Sequence, residues 1–156
     1  MNRPLMYSLA ICLISAAFEG ILAGRGVRER FAELRLPRFS PPLPVWFVIG
    51  GAFYVVCFTV LYRLWSLPAT GIRNAGLGLL VGMMAMNALW NYVFFRAQNL
   101  LLSFLAFLPY GLVALTLCVL TFQLDSIAAV SILAYIAYLG YATVWGYRLW
   151  RINRAA

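Results

Sequence analysis

The amino-acid sequence predicts an all-α integral membrane protein, a bundle of five transmembrane helices forming a single domain over residues 1–156. Apolar residues make up 65% of the positions and charged residues only 10%, and mean hydropathy is +0.90. A soluble domain carries roughly 25% charged residues, because its surface faces water. Five apolar runs, each about the 20 residues needed to cross a bilayer, fill nearly the whole sequence. We therefore expect no catalytic domain outside the membrane in this sequence.

Proline and acidic residues mark where the expected helices begin and bend. Pro41 and Pro42 stop any helix before the second run. Pro109 should kink the fourth helix, and Asp125 should cap the fifth, because an acid favours a helix N-terminus. The expected spans are residues 5–24, 44–65, 75–95, 100–122 and 127–150, with a polar loop over 25–43 and a short interfacial helix over 28–34.

The first apolar run has a competing interpretation as a signal peptide. Its length of about 20 residues and the carboxylate of Glu19 near its end favour a retained helix instead. An ionisable residue at this depth is functional by default, although Glu19 could also lie at the interface and face the basic loop.

Arginine placement predicts the orientation. The chain has twelve arginines, no lysine and no histidine, and a net charge of +8. Nine arginines fall in or beside the 25–43 loop, the end of the third span and the C-terminus, against three on the other side. The positive-inside rule then places the N-terminus outside and the C-terminus in the cytoplasm. We expect a bacterial cell membrane, with lipid and not nucleic acid as the partner of these arginines.

The residue inventory gives no basis for an enzyme. Histidine is absent, which removes the usual acid–base group and metal ligand near neutral pH. Cys12, Cys57 and Cys118 each lie within an apolar run, and no pair has metal-ligand spacing. We expect no catalytic residues, no metal site and no required cofactor.

Polar and aromatic residues within the otherwise aliphatic spans are the positions that indicate function. Asn87, Trp90, Asn91 and Phe94 recur at helical spacing and should lie along one stripe of the third span. Two amides in a membrane helix need partners inside the bundle, and they could either join helices or line a ligand pocket.

Tyrosines of the fifth span give a second, more ambiguous signal. Tyr135, Tyr138 and Tyr141 step by three along the helix and share a face. Aromatic residues near span ends usually form an interfacial belt, but these three lie toward the middle. An inward-facing aromatic wall is therefore the sharper interpretation.

Closely spaced glycines suggest where helices approach one another. Gly78 and Gly82 form a GxxxG pattern in the third span, and Gly20 and Gly24 form another in the first. Such spacing permits close backbone approach between membrane helices. We take Gly78 and Gly82 as the expected face of a homodimer.

Taken in order along the chain, these residues resemble the translocator protein family, also called the tryptophan-rich sensory protein or peripheral benzodiazepine receptor family. The resemblance covers residues 31–153. Its carriers are Phe31-x-x-Leu34-x-x-Pro37, Ser40-Pro41-Pro42, Trp46, Tyr54, Asn87-Ala88-Leu89-Trp90-Asn91, Phe94-Phe95, Phe122-Gln123-Leu124-Asp125, Ala128-Ala129, Tyr135, Ala142-Thr143-Val144, Tyr147, Trp150-Arg151 and Asn153.

The resemblance implies a five-helix bundle, commonly a homodimer, with a pocket that opens toward the first loop and binds porphyrins or synthetic isoquinoline- and benzodiazepine-type ligands. The positions that match this ligand-binding pocket are Trp46, Tyr54, Asn87, Trp90, Phe94, Tyr135 and Tyr138. A sterol-recognition pattern of the family is matched by Val144, Tyr147 and Arg151.

The chain departs from the family pattern at positions where tryptophan is usual. Gly50 and Tyr138 stand at positions where the tryptophans of some members are associated with porphyrin photodegradation. That activity is therefore not expected here. Arg38, Ala134 and Gly146 also differ from the usual tryptophan, proline and asparagine.

Two functions follow as expectations. The leading one is a non-enzymatic receptor that binds porphyrin or another flat, apolar, anionic molecule, with first-loop arginines attracting its carboxylates. The alternative is an interaction subunit that docks into a larger membrane protein complex and whose pocket has degenerated. A transporter is the least supported, because the spans show no internal repeat.

Overall fold

The computed structural model describes residues 2–154, and within that range the backbone forms seven α-helices and one π-helical turn. Five segments are long and apolar enough to cross a membrane: α1, α3, α4 with the π-helical turn, α5 with α6, and α7. The predicted five-helix membrane bundle is therefore confirmed. The elements are α1 Arg3–Ala23, α2 Val27–Glu33, α3 Leu43–Trp65, α4 Gly71–Asn91, the π-helical turn Tyr92–Arg96, α5 Leu100–Leu105, α6 Phe107–Leu124 and α7 Ser126–Asn153.

Side-chain caps determine where several helices begin. The Thr70 hydroxyl accepts from the Arg73 amide at 3.2 Å, and the Asn99 carboxamide accepts from the Leu102 amide at 2.9 Å. These caps satisfy amide groups that have no partner within the helix. Because Thr70 caps α4, this helix begins at Gly71, four residues before the predicted start of the third span.

Two irregularities interrupt the predicted spans. The fourth span is divided at Ala106 into α5 and α6 rather than bent continuously, because Pro109 has no amide hydrogen to donate to the preceding turn. The third span ends in the π-helical turn, where the Ala97 amide donates to the Tyr92 carbonyl at 2.9 Å. Such wide turns occur often at functional sites.

The helices pack as a closed ring. Going round it, α1 contacts α3, α3 contacts α7, α7 contacts α5 and α6, α6 contacts α4, and α4 returns to α1. The short helix α2 lies across one end, which we call the α2 end. The turn between α6 and α7 lies at the other, which we call the Asp125 end.

Asp125 ties three helices together at its end of the bundle. Its carboxylate accepts from the Ala128 amide at 2.9 Å, which caps α7, and from Arg63 Nε of α3 at 2.9 Å. The Arg63 guanidinium holds the pKa of the Asp125 carboxyl below its ordinary value, although partial burial opposes the shift. The predicted cap thus also serves as one half of an ion pair.

Candidate functional site

Two adjoining cavities occupy the α2 end of the bundle. Cavity A has a volume of about 340 Å³ and lies against α3, α4, α5, α6 and α7. Cavity B has a volume of about 500 Å³ and lies among α1, α2, α3, α4 and α7. Both volumes fall within the roughly 300–1,000 Å³ typical of small-molecule sites. The side chains that line both cavities are Trp46, Asn87, Trp90, Tyr135, Tyr138 and Trp145.

The structure brings the seven predicted pocket residues together. Five of them line both cavities, and Tyr54 and Phe94 line cavity B only. The stripe predicted on the third span also faces this space, because Asn91 lines cavity B as well. Tyr141 is not part of the expected aromatic wall, because it lines neither cavity. Its hydroxyl donates instead to the Phe39 carbonyl at 3.1 Å.

Hydrogen bonds orient two of the three shared indoles. Trp90 Nε1 donates to the Ser103 carbonyl at 3.0 Å, and Trp145 Nε1 donates to the Ser40 hydroxyl at 3.0 Å. Within the described range, the buried Trp46 Nε1 donates to no protein group. The Trp46 side chain lines both cavities, but its ring nitrogen is not exposed to them.

Glu19 lies in cavity B at the centre of a polar cluster. Its Oε2 accepts from the Tyr54 hydroxyl at 2.7 Å and from Asn87 Nδ2 at 2.7 Å. Its Oε1 accepts from Asn91 Nδ2 at 3.0 Å. The two amides therefore join α4 to α1 and also line cavity B, while their role in binding a ligand stays a prediction. Glu19 faces the cavity rather than the basic loop.

Two tyrosine hydroxyls form a hydrogen-bonded pair at the wall of cavity A. The Tyr110 and Tyr135 hydroxyls are 2.7 Å apart, and both side chains are buried. This pair places one polar spot in a cavity whose remaining walls are almost entirely apolar. Such a spot can orient a ligand that carries a single polar group.

The first loop covers the α2 end and is fixed to it at several points. Asn153 of α7 accepts from the Arg35 amide and donates to the Arg35 carbonyl, both at 3.0 Å. Arg30 Nη2 donates to the Gln98 carbonyl at 3.2 Å, and the Phe31 ring is buried beneath α2. The loop thus closes cavity B from the end of the bundle.

An open groove continues from cavity B to the surface. The groove shares Gly20, Ala23, Gly24 and Phe95 with cavity B. Arg25 and Arg96, both exposed, flank it. Gly24 has a φ of +76°, which favours glycine, and the Arg96 side chain lies against its backbone. Positive charge therefore stands where the cavity meets the surface.

Two departures from the family pattern have visible consequences. Gly50 lines cavity B, and a Cβ added there would meet no atom within 4 Å, so its lack of a side chain enlarges the cavity. Gly146 lies against α6, where an added Cβ would come within 2.9 Å of Phe107 Cε2. The first glycine opens space, and the second permits close helix packing.

Sequence reasoning missed Trp145 and Tyr110 as pocket residues. Trp145 lies seven residues after Tyr138, or two helical turns, so the periodicity of α7 could have indicated it. Tyr110 follows directly after Pro109 in a helix with no other polar signal, and its position depends on the break at Ala106.

The remaining predicted sites lie on the outside of the bundle. Val144 and Tyr147 of the sterol-like pattern are 51% and 40% exposed, and Arg151 is exposed near the end of α7. A Cβ added at Gly78 or Gly82 would meet nothing within 4 Å, so both glycines lie on a face that no other described helix covers. A homodimer contact there stays a prediction.

Comparison with known proteins identifies the family. A model of the TspO/MBR family matches residues 8–151. The chain is similar to the translocator protein of Sus scrofa, with 28% identity covering 99% of this chain and 94% of that protein. It is also similar to the translocator protein of Homo sapiens (28% identity, 91% and 83% covered) and that of Ovis aries (29%, 85% and 79%). With its five membrane-spanning helices, the chain is a multi-pass membrane protein that belongs to the TspO/MBR family.

Proposed function

We propose that this protein is a membrane receptor that binds porphyrin, or a similar flat apolar molecule, between its helices and has a regulatory or sensory role. The observation that carries the proposal is the set of side chains shared by the two cavities. Three indoles, two phenols and an amide line both cavities, each of which is large enough for a small-molecule ligand. Flat aromatic faces with few polar groups are typical of such sites.

The groove beside cavity B suggests how an anionic ligand would be oriented. A tetrapyrrole has an apolar ring and carboxylates along one edge. With the ring in cavity B, the carboxylates would reach Arg25 and Arg96, which flank the groove. Arginine forms charge-assisted hydrogen bonds with carboxylates, and these two carry no acidic partner among the described residues.

The proposal includes an orientation and a non-enzymatic role. The α2 end, with its excess of arginine, would face the cytoplasm, and the Asp125 end would face outside. No catalytic step is proposed, because Gly50 and Tyr138 stand where tryptophans are usual. A homodimer through Gly78 and Gly82 is compatible with the uncovered face of α4.

A protoporphyrin titration of the detergent-purified protein tests the proposal. Tryptophan quenching is measured in the parent protein and in a Trp90→Leu plus Asn87→Ala variant. We expect saturable micromolar binding that the variant loses, because both side chains line both cavities. Trp150→Leu is the matched control: it removes an indole that lines neither cavity, and should leave the affinity unchanged.

Equal quenching in the parent and the double variant would contradict the pocket. Absence of binding by a folded parent protein would favour the alternative, an interaction subunit of a larger membrane complex. Copurification of that complex under mild detergent would then be the next measurement.

A further inference from the structure

Glu19 is the one acidic side chain among the described residues that line cavity B, and none of these residues is an arginine. Its carboxylate contacts three neutral donors: the Tyr54 hydroxyl and the amides of Asn87 and Asn91. The two ion pairs among residues 2–154 join Arg30 to Glu33 and Arg63 to Asp125, so no described arginine neutralises Glu19. A carboxylate within a membrane span normally has a charged partner or a functional role.

The donors around Glu19 leave part of its acceptor capacity unused. An ionised carboxylate offers about four lone-pair positions. Oε2 accepts two hydrogen bonds and Oε1 accepts one from another side chain. The free position belongs to a group that lines cavity B, so a ligand in the cavity can donate to it.

Aromatic rings stand beside this carboxylate in the same cavity. Tyr54 contacts Glu19 directly, and its ring packs edge-on against Phe53, 5.2 Å between centroids. The indoles of Trp46 and Trp90 form further parts of the wall. A carboxylate in a cavity lined by aromatic rings is a combination suited to an organic cation, since ring faces attract positive charge.

We propose that cavity B binds flat aromatic amines, with the protonated nitrogen donating to Glu19. The inference rests on cavity B being a ligand pocket, as proposed above, but not on porphyrin being the ligand. Arg25 and Arg96 lie in the solvent-exposed groove, where salt screens them, whereas Glu19 lies inside the span. The cavity would thus take a cation at Glu19 and an anion at the groove.

The test compares two acridine dyes and two variants of the purified full-length protein in a zwitterionic detergent. Cationic 9-aminoacridine and uncharged acridine differ in charge at neutral pH but share the flat ring. Binding is measured by dye fluorescence. We expect the parent to bind 9-aminoacridine more tightly than acridine, and Glu19→Gln to lose about tenfold in affinity for the cation only.

Glu29→Gln is the matched control, because it removes the same charge from an exposed position on α2. It should change neither affinity. Protoporphyrin binding should be unchanged or tighter in Glu19→Gln, because a negative charge is removed from the cavity. Circular dichroism checks that each variant is folded. If Glu19→Gln does not fold, the comparison of the two dyes on the parent protein still decides the question.

Separate outcomes distinguish this inference from the proposed receptor function. Equal affinity of the parent for both dyes, or equal loss in Glu19→Gln and Glu29→Gln, would overturn the cation site even if porphyrin binds. Discrimination by Glu19 without any porphyrin binding would support the cation site and contradict the porphyrin proposal.

Discussion

The two ends of the bundle are built differently. At the Asp125 end, Leu61 and Leu64 of α3 are fully buried together with Leu80 of α4 and Ile132 of α7. Arg73 closes this end, with its Nε donating to the Leu64 carbonyl at 3.1 Å. At the α2 end the same helices separate around cavities A and B. One half of the molecule is a close-packed core, and the other half encloses space.

This difference predicts which end of the bundle contributes most to stability and which end contributes most to ligand binding. Buried leucines at the Asp125 end contact several helices at once, and dispersion between close-packed atoms stabilises membrane bundles. The cavities leave fewer such contacts at the α2 end. That end is held by hydrogen bonds such as the Arg35–Asn153 pair and by a smaller buried cluster, which consists of Phe31, Leu34, Phe94, Trp145 and Leu149. Substitutions at the two ends should therefore have separable effects on unfolding and on ligand affinity.

The largest expected effect is on the close-packed end. Leu61→Ala should lower the free energy of unfolding by roughly 2–5 kcal/mol, because it leaves a cavity among fully buried side chains. Thermal unfolding in detergent, followed by circular dichroism, measures the change. Leu112→Ala is the control, since Leu112 is 66% exposed on α6, and its effect should stay within about 0.5 kcal/mol. Similar losses for both would mean that this end is not a packed core.

An intermediate effect is expected where α7 meets α6 at the α2 end. Gly146→Ala should destabilise by about 1–3 kcal/mol, because the added methyl group would come too close to Phe107. Phe107 also lines cavity A, so the affinity for a ligand there should fall as well. Gly140→Ala, on the same helix but facing open space, should stabilise by up to about 1 kcal/mol. If Gly146→Ala left the free energy of unfolding unchanged, α6 would have to move away from the added methyl group at little energetic cost.

Part of this arrangement can be predicted from the sequence alone, and part of it cannot. The stripe of Asn87, Trp90 and Asn91 follows from helical periodicity, so its common face could be predicted. Its partner could not, because the rotation that turns Glu19 of α1 toward it depends on how α1 packs against α3 and α4. The π-helical turn and the Arg35–Asn153 contact also arise from long-range packing, which leaves no local pattern in the chain.

The smallest expected effect concerns the ion pair at the Asp125 end. Asp125→Asn keeps a capping side chain on α7 but removes the charge that faces Arg63. Because the folded-state pKa of Asp125 is lowered, its contribution is present above the unfolded value of about pH 4 and is lost as pH falls through the folded value. The Arg63 side chain is 40% exposed, so solvent screening should make this contribution the smallest of the three.

Unfolding of the parent and of Asp125→Asn should be compared at about pH 6 and below pH 3. The difference between them should shrink at the lower pH. A difference that does not depend on pH would show that the cap, and not the ion pair, holds this turn.

The missing side chain at Gly50 bears on how a ligand arrives. Gly50 lines cavity B beside Phe47, which is 58% exposed on a membrane-spanning helix, so we expect this wall to face lipid rather than water. A flat apolar molecule dissolves preferentially in the hydrocarbon core of the membrane. Occupancy of cavity B is then governed by the mole ratio of ligand to lipid in the membrane, and not by the ligand concentration in water. Apparent affinities expressed per volume of water should therefore weaken as more lipid is added at constant total ligand.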